Sequence, residues 1–265
     1  MKKYLVIGNP IDHSLSPQIH NYWIKKNNIS GIYDKQKLNS SNLNELIIKI
    51  KNKEINGLNV TVPFKNEIIS YLDTLSNEAK TTQSVNTIYL ENDKVVGHNT
   101  DIDGFELAIK DKDYDVKGKR IFILGAGGVV PSIIFALNKM KASEIVISNR
   151  TKQKAEKLKD LFKNLSIVDW GKIPYFDMII NATSLGLSNK DDINLDFSKV
   201  EKDKFFYDVI YNPKETNFLK KGKKLGNRIE NGKLMFIYQA LEAFKLWHGI
   251  EPEVNFETLK LLKND

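Results

Sequence analysis

The 265-residue sequence contains no cysteine, which excludes disulfides, a thiolate nucleophile and any cysteine-ligated metal. No apolar run approaches membrane-spanning length, and Met1-Lys2-Lys3 leads straight into an apolar strand pattern. A soluble, cytoplasmic chain without membrane contact is therefore expected. Histidine is scarce, and His13, His20, His98 and His248 are too scattered to suggest a metal site, so no metal is expected. An acidic balance is missing as well: the formal net charge is +7. The lysines are nevertheless spread over helix-like stretches (around 49–53, 152–159 and 220–224), without interleaved aromatics and arginines. Solvated lysine faces account for this better than a nucleic-acid surface, with mild steering of an anionic ligand as a side benefit.

What is present is an ordinary globular composition, 41% hydrophobic, on a chain long enough for two modest cores. Short apolar runs at 4–7, 32–37, 57–60 and 87–89 read as strands. Segments 17–26, 42–51, 67–72 and 101–109 read as helices between or after them. Residues 94–98 return from a hairpin turned at Asn92-Asp93. The charged stretch 110–119 has the composition of a domain junction. Thereafter βα units repeat: strands at 121–124, 144–148, 177–181 and 205–209, with helices to about 140, over 152–162 and over 217–224. The last thirty or so residues, from about 233, read as helical. Leu234, Ile237, Leu241, Phe244 and Trp247 form a stripe there that could return to the first domain. The expected class is α/β with two domains, residues 1–101 plus 233–265 and residues 102–232, the second a Rossmann-type doubly wound parallel sheet.

The clearest local signal is RIFILGAGGVVPSIIFAL, residues 120–137. A buried strand, the turn Gly125-Ala126-Gly127-Gly128 and a helix opening near Val129 aim backbone N–H groups at a phosphate, where a Cβ would hold the backbone off. Pro131 fits the first helical turn. Val130 stands where the usual third glycine would be, which predicts looser helix-to-strand packing. Such a turn could also bind nothing. At the end of the next strand, Asn149-Arg150-Thr151, with Lys154 one turn on, replaces the acidic residue that would bind an NAD ribose. A guanidinium there suits a 2′-phosphate and favours NADP(H), although an arginine at a helix start can be mere surface.

Three polar clusters in the first hundred residues carry further chemistry. Ser14 and Ser16 precede a helix N-terminus and can offer hydroxyls to one carboxylate, Ser16 alone being readable as a cap. Asn59 and Thr61 share one face of an extended segment, and Lys65 follows at a helix start, a poor electrostatic place for a cation but a useful one for a proton shuttle. Asn86 lies in Ser84-Val85-Asn86-Thr87, and Asp101 ends Gly97-His98-Asn99-Thr100-Asp101, where it could be a plain capping acid.

Together these motifs resemble the shikimate dehydrogenase family over essentially the whole chain. In order they are Ser-x-Ser, N-V-T-x-P-x-K, V-N-T, N-T-D-x-x-G, G-A-G-G, N-R-T, N-A-T-S-x-G at 181–186, D-x-x-Y-x-P-x-x-T at 208–216 and G-x-x-M-x-x-x-Q at 232–239. The resemblance implies a substrate-binding first domain facing an NADP-binding Rossmann domain across a cleft, and reversible NADPH-dependent reduction of 3-dehydroshikimate to shikimate in aromatic amino-acid biosynthesis. It implies that Ser14 and Ser16, assisted by Tyr211, hold the substrate carboxylate. Asn59, Thr61, Asn86 and Gln239 would bind ring hydroxyls or position catalytic groups, with Lys65 and Asp101 as the catalytic dyad. Gly125, Ala126, Gly127, Gly128 and Val129 would cradle the pyrophosphate, and Asn149, Arg150, Thr151 and Lys154 the adenosine 2′-phosphate. Thr183, Val209 and Gly232 would line the nicotinamide end. Met235 could touch the nicotinamide ring, though on a helical stripe it is more often core.

Chemically this is coherent: hydride transfer to a ketone leaves an alkoxide, and an ammonium at Lys65, oriented by Asp101, can protonate it. The chain departs from the family at Gln83-Ser84 (usually Gly-Ala), at Leu187 (usually Met), at Val129-Val130-Pro131 and at Lys154, a frequent arginine. None removes a catalytic group. Partners are expected to be small molecules, with a monomer or homodimer as the assembly. Rival readings are a dehydrogenase that also takes quinate or uses cofactors more broadly, and a nucleotide-binding paralogue without turnover.

Overall fold

The computed structural model describes residues 1–188 and 192–262. Contacts divide the chain into two compact units, Met1–Gly104 with Ile237–Asp265, and Phe105–Phe236. In chain order the first contains β1 (Lys2–Gly8), α1 (Ser16–Lys26), β2 (Gly31–Lys37), α2 (Leu43–Lys51), β3 (Gly57–Val60), β4 (Thr74–Leu75), α3 (Asn77–Thr82), β5 (Thr87–Glu91) and β6 (Lys94–His98). Then come α4 (Asp101–Asp111), β7 (Arg120–Leu124), α5 (Val130–Lys139), β8 (Glu144–Ser148), α6 (Lys152–Leu161), β9 (Leu165–Ile167), β10 (Met178–Asn181), β11 (Phe205–Asp208), α7 (Asn217–Lys224), β12 (Arg228–Glu230), α8 (Lys233–His248) and α9 (Phe256–Leu261). The unit boundaries fall inside α4 and α8, not in the charged 110–119 stretch.

The first sheet has the order β2-β1-β3-β5-β6-β4. β1 pairs parallel with β2 and β3, whereas β5 is antiparallel to β3 and β6. Alternation along β1 sends Leu5 and Ile7 into a core with Leu46, Ile50, Leu58 and Phe64. Tyr4, on the other face, packs its ring 5.2 Å from Trp247 of α8. Asn92 and Asp93 both take positive φ, the geometry of a tight turn that matches strand twist.

The second sheet is wholly parallel, with the order β12-β11-β10-β7-β8-β9. Read from the other edge this is the doubly wound dinucleotide-fold order, with its switch point between β7 and β10. Both faces are covered, as a parallel sheet requires: Phe122, Ile179 and Phe206 pack with Phe218 and Leu219 of α7, while Tyr207 faces the other way onto Phe105. A fully buried side chain of this size contributes about 2–3 kcal/mol.

Several expectations are corrected. Residues Glu67–Tyr71 form a 3-10 turn, with bonds such as Leu72 N–H to Ile69 O, in place of an α-helix. The stretch from 233 onward is not one helical run. Gly249, at φ +65°, ends α8, Pro252 follows, and α9 starts only after Asn255 caps it; residues 263–265 lie outside the described residues. Val130 does not loosen the packing: it is fully buried at the start of α5. The short β4, β9 and β12 and the six-residue α3 are too brief to show a period in sequence.

Candidate active site

In the first unit, strand ends and helix starts bring most of the polar clusters together. Lys65 follows β3 on a turn pinned by Phe64, which is buried, and by Val85 N–H donating to Lys65 O at 2.8 Å. Asp101 opens α4, where the helix dipole favours an anion. Lys65 Nζ and Asp101 Oδ2 pair at 2.5 Å, with side chains only 12% and 8% exposed. So screened from water, the pair is held far more firmly than a surface salt bridge. Asp101 Oδ1 accepts from Asn86 Nδ2 at 2.9 Å, and Asp101 N–H donates to Asn99 Oδ1 at 3.1 Å. The carboxylate is thus fixed on both oxygens.

Asn86 is itself locked. Its Oδ1 accepts from Thr100 N–H at 2.8 Å and from the Thr87 hydroxyl at 3.0 Å, and its Nδ2 also reaches Thr100 Oγ1 at 3.0 Å. Asn59 is equally engaged, donating to Asn86 O at 3.0 Å and Thr87 Oγ1 at 3.1 Å and accepting from Tyr33 Oη at 2.7 Å. These bonds face inward, so both asparagines position other groups. The sequence motifs contain Thr87 and Thr100 without a role for either, and they do not contain Tyr33. The available signal was slight: Tyr33 is the one buried residue of β2, GIYDKQK. Asn21 clamps its backbone with bonds of 2.7 and 2.9 Å, and the neutral His20 ring stacks on it at 4.2 Å. Burial raises the Tyr33 hydroxyl well above the usual phenol value, partly offset by a hydrogen bond with Ser16. Burial lowers His20 to about 3, with His248 adding to the effect.

Ser14 and Ser16 lie at the start of α1, Ser16 N–H donating to Ser14 Oγ at 3.4 Å. Leu15, not a serine, occupies the N-cap, so Ser16 is not the helix cap. Thr61 is half-buried beside Gly8, and Gln239 of α8 lies so close to Gly104 that a Cβ there would sit 2.8 Å from the Gln239 backbone nitrogen. Tyr211 belongs to the second unit, where it packs 4.8 Å from Phe236 and burial raises its phenol. His13 is exposed and Met235 is buried.

In the second unit, the turn after β7 lies at the switch point of the sheet. Gly125 has φ +112°, and a Cβ on it would meet Ala182 O at 2.7 Å and Thr183 Cγ2 at 3.1 Å, so only glycine fits. Gly127 and Gly128 are exposed, and a Cβ on Gly127 would meet only Ala182 O, at 3.9 Å. That space lies at the N-terminus of α5, where Val129 at the N-cap offers the first-turn amides no side-chain acceptor. Gly125 N–H joins the loop to the end of β8 through Ser148 O at 2.8 Å. Beyond β8, Asn149 Nδ2 donates to Thr151 O at 2.7 Å, and Arg150 and Lys154 are exposed. Among the described residues no carboxylate pairs with either cation. An open glycine cradle at a helix N-terminus with two uncommitted cations at the next strand end fits an anionic dinucleotide bearing an extra phosphate. Val209 and Gly232 also meet: a Cβ on Gly232 would overlap Val209 O. Among the described residues no group of three or more His, Asp or Glu could hold a metal ion.

Comparison with known proteins identifies the relatives of this arrangement. Residues 6–88 match the shikimate dehydrogenase substrate binding domain, residues 106–215 the shikimate/quinate 5-dehydrogenase family and residues 234–255 the shikimate 5′-dehydrogenase C-terminal domain. The shikimate dehydrogenase (NADP(+)) of Pelagibacter ubique is 57% identical over 98% of both chains. The crystal structure of shikimate dehydrogenase from Aquifex aeolicus superimposes with a TM-score of 0.90 at 38% identity, covering 98% of this chain and 96% of that one. The Thermus thermophilus shikimate 5-dehydrogenase in complex with NADP(H) and shikimate gives a TM-score of 0.88 at 30% identity, covering 96% and 95%. From the paired Lys65 and Asp101 to the glycine turn before α5, over nearly its full length, the chain belongs to the shikimate dehydrogenase family.

Proposed function

We propose that this chain catalyses the reversible NADPH-dependent reduction of 3-dehydroshikimate to shikimate, acting in the cytoplasm on small-molecule ligands. The observation that carries the reading is the shielded Lys65–Asp101 pair at 2.5 Å, in a family whose Pelagibacter ubique member is named for this NADP(+) activity. The first unit is the substrate domain and the second the NADP domain. Held there, NADPH would supply the hydride that the ketone carbon accepts. Lys65, as an ammonium, donates a proton to the carbonyl oxygen as charge develops there, and stabilises that charge beforehand. Asp101 holds Lys65 in place and binds a neighbouring ring hydroxyl. Ser14, Ser16 and Tyr211 receive the substrate carboxylate, Thr61 and Gln239 the ring hydroxyls, while Asn59 and Asn86 position the reacting groups.

Gly125, Ala126, Gly127, Gly128 and Val129 hold the pyrophosphate, and Asn149, Arg150, Thr151 and Lys154 the 2′-phosphate. Thr183, Val209 and Gly232 line the nicotinamide end. The experiment is NADP⁺ and NAD⁺ reduction followed at 340 nm with shikimate and with quinate. Turnover is expected with shikimate and NADP⁺; no signal in any of the four combinations would remove the enzyme reading, and equal rates on quinate would broaden the substrate.

A further inference from the structure

We propose that Asp208 is a positioning residue for the nicotinamide end of the cofactor site: it ties the loop after β10, the loop after β11 and the start of α7 into one rigid seat. This rests on the NADP reading above. Asp208 is fully buried at the C-terminal end of β11, the edge at which open α/β sheets bind their ligands. Its Oδ1 accepts from Asn181 Nδ2 and from Ile210 N–H, each at 3.0 Å, and its Oδ2 accepts from the Thr216 hydroxyl at 2.6 Å. Among the described residues no cation pairs with it. A buried carboxylate held only by neutral donors is a costly way to fill space, since an apolar side chain of similar size would do so without desolvating a charge. Its three bonds instead organise what surrounds it.

Asn181 passes the constraint on. Its Oδ1 accepts from Thr183 N–H at 3.0 Å and from the Thr183 hydroxyl at 2.7 Å, and its Nδ2 also donates to Leu185 O at 3.1 Å. Thr183 Oγ1 in turn accepts from Leu185 N–H at 3.1 Å. The loop so curled is the one that abuts Gly125 through Ala182 and Thr183. On the other side, Ile210 N–H fixes the chain just after Val209, and Ile210 O accepts from Gly232 N–H at 3.1 Å. Thr183, Val209 and Gly232 therefore share one buried anchor, while Arg150 and Lys154, at the end of β8, have no bond to it.

The test measures binding by titration calorimetry, with NADP⁺ and with adenosine 2′,5′-bisphosphate, which lacks the nicotinamide end. Asp208→Asn replaces one acceptor by a donor facing Thr216 or Ile210, and Thr216→Val removes the shortest bond while keeping the side-chain shape. Both variants are expected to weaken NADP⁺ roughly 10-fold, the loss of one hydrogen bond to a charged group, Thr216→Val also giving up the longer cap bond of 3.4 Å from Leu219 N–H. Affinity for the bisphosphate should stay within 2-fold of the parent chain, and Thr216→Ser should restore NADP⁺ binding. Equal weakening of both ligands would make Asp208 a structural residue of the whole unit, and unchanged NADP⁺ binding would remove it from the site; either overturns the proposal. If Asp208→Asn does not fold, the Thr216→Val and Thr216→Ser pair decides. Failure of the parent chain to bind NADP⁺ would instead sink the cofactor reading itself.

Discussion

Lys65 and Asp101 are 36 positions apart, yet their 2.5 Å contact leaves each little exposed to water. Replacing Lys65 by alanine is expected to lower kcat at least ~100-fold, as loss of a general acid does, while KM for shikimate changes little; stopped-flow or steady-state assays at 340 nm check this, and normal turnover would remove Lys65 from the mechanism. Arg150 is exposed and, among the described residues, no carboxylate pairs with it, so Arg150→Ala should not disturb folding. It is expected to raise KM for NADPH roughly 10-fold or more, the worth of a charge-assisted pair, with a much smaller effect on kcat. An unchanged KM would return Arg150 to the surface. Gln83 shows what a departure from the family means physically: it ends α3 in the left-handed region, at φ +49°, where the usual glycine is unstrained. Its side chain compensates by donating to Lys80 O at 2.6 Å, and Asn66 Nδ2 secures its carbonyl at 2.9 Å.

At the scale of elements, Gly104 lets α8 lie directly against the first turn of α4. A Cβ there would come within 2.8 Å of Gln239 Cβ and backbone nitrogen. Gly104→Ala is expected to destabilise the chain by roughly 1–3 kcal/mol, as overpacking does, and to lower kcat/KM for shikimate by displacing Gln239 from its place against the first turn of α4. Urea unfolding and steady-state kinetics measure the two effects; an unperturbed variant would mean that the helices can separate freely. Helix α7 makes the complementary point. Lys220, Lys223 and Lys224 are exposed, half-buried Lys221 donates to Asp192 at 2.7 Å and Ile193 O at 3.0 Å, and Gly222 faces the Phe206 ring, where a Cβ would be 2.6 Å away. Lysine-rich sequence and a glycine in mid-helix, both weak helix signals alone, are consistent once the partner strand is known. The long strands and helices were legible because their apolar period runs for several residues. The turn at Glu67–Tyr71 and the break at Gly249 were not, because both depend on local backbone geometry that the apolar pattern does not encode.

At the scale of the whole molecule, buried histidines in the first unit and buried Asp208 in the second contribute to stability with opposite signs as pH falls. In the first, burial lowers His20 to about 3 and His248 to about 4, so the unfolded chain binds protons that the native unit refuses. Its stability is therefore lost as pH falls below about 6.5, by about 2 kcal/mol at pH 5 from His20 alone. In the second, burial raises Asp208 to about 6, so the native unit binds a proton that the unfolded chain does not until its ordinary pKa near 3.8. Asp208 by itself therefore adds about 2 kcal/mol to that unit between pH 7 and pH 4. Urea titrations of Trp170→Phe, which keeps Trp23 and Trp247, and of Trp23→Phe/Trp247→Phe, which keeps Trp170, should show midpoints moving in opposite directions; parallel shifts would refute the assignment. The sequence by itself determined the class of fold, the dinucleotide turn and the NADP-type strand end, because each is a local pattern of residue types beside a strand or helix start, while Lys65 and Asp101 stood out only through the ordered motifs of the family resemblance. Only the tertiary structure decided how they are held. Tyr33, Thr87, Thr100 and Asp208 act through bonds to residues distant in the chain or on neighbouring loops, and no local period or composition records which polar side chains will meet in a buried place where each must find a partner.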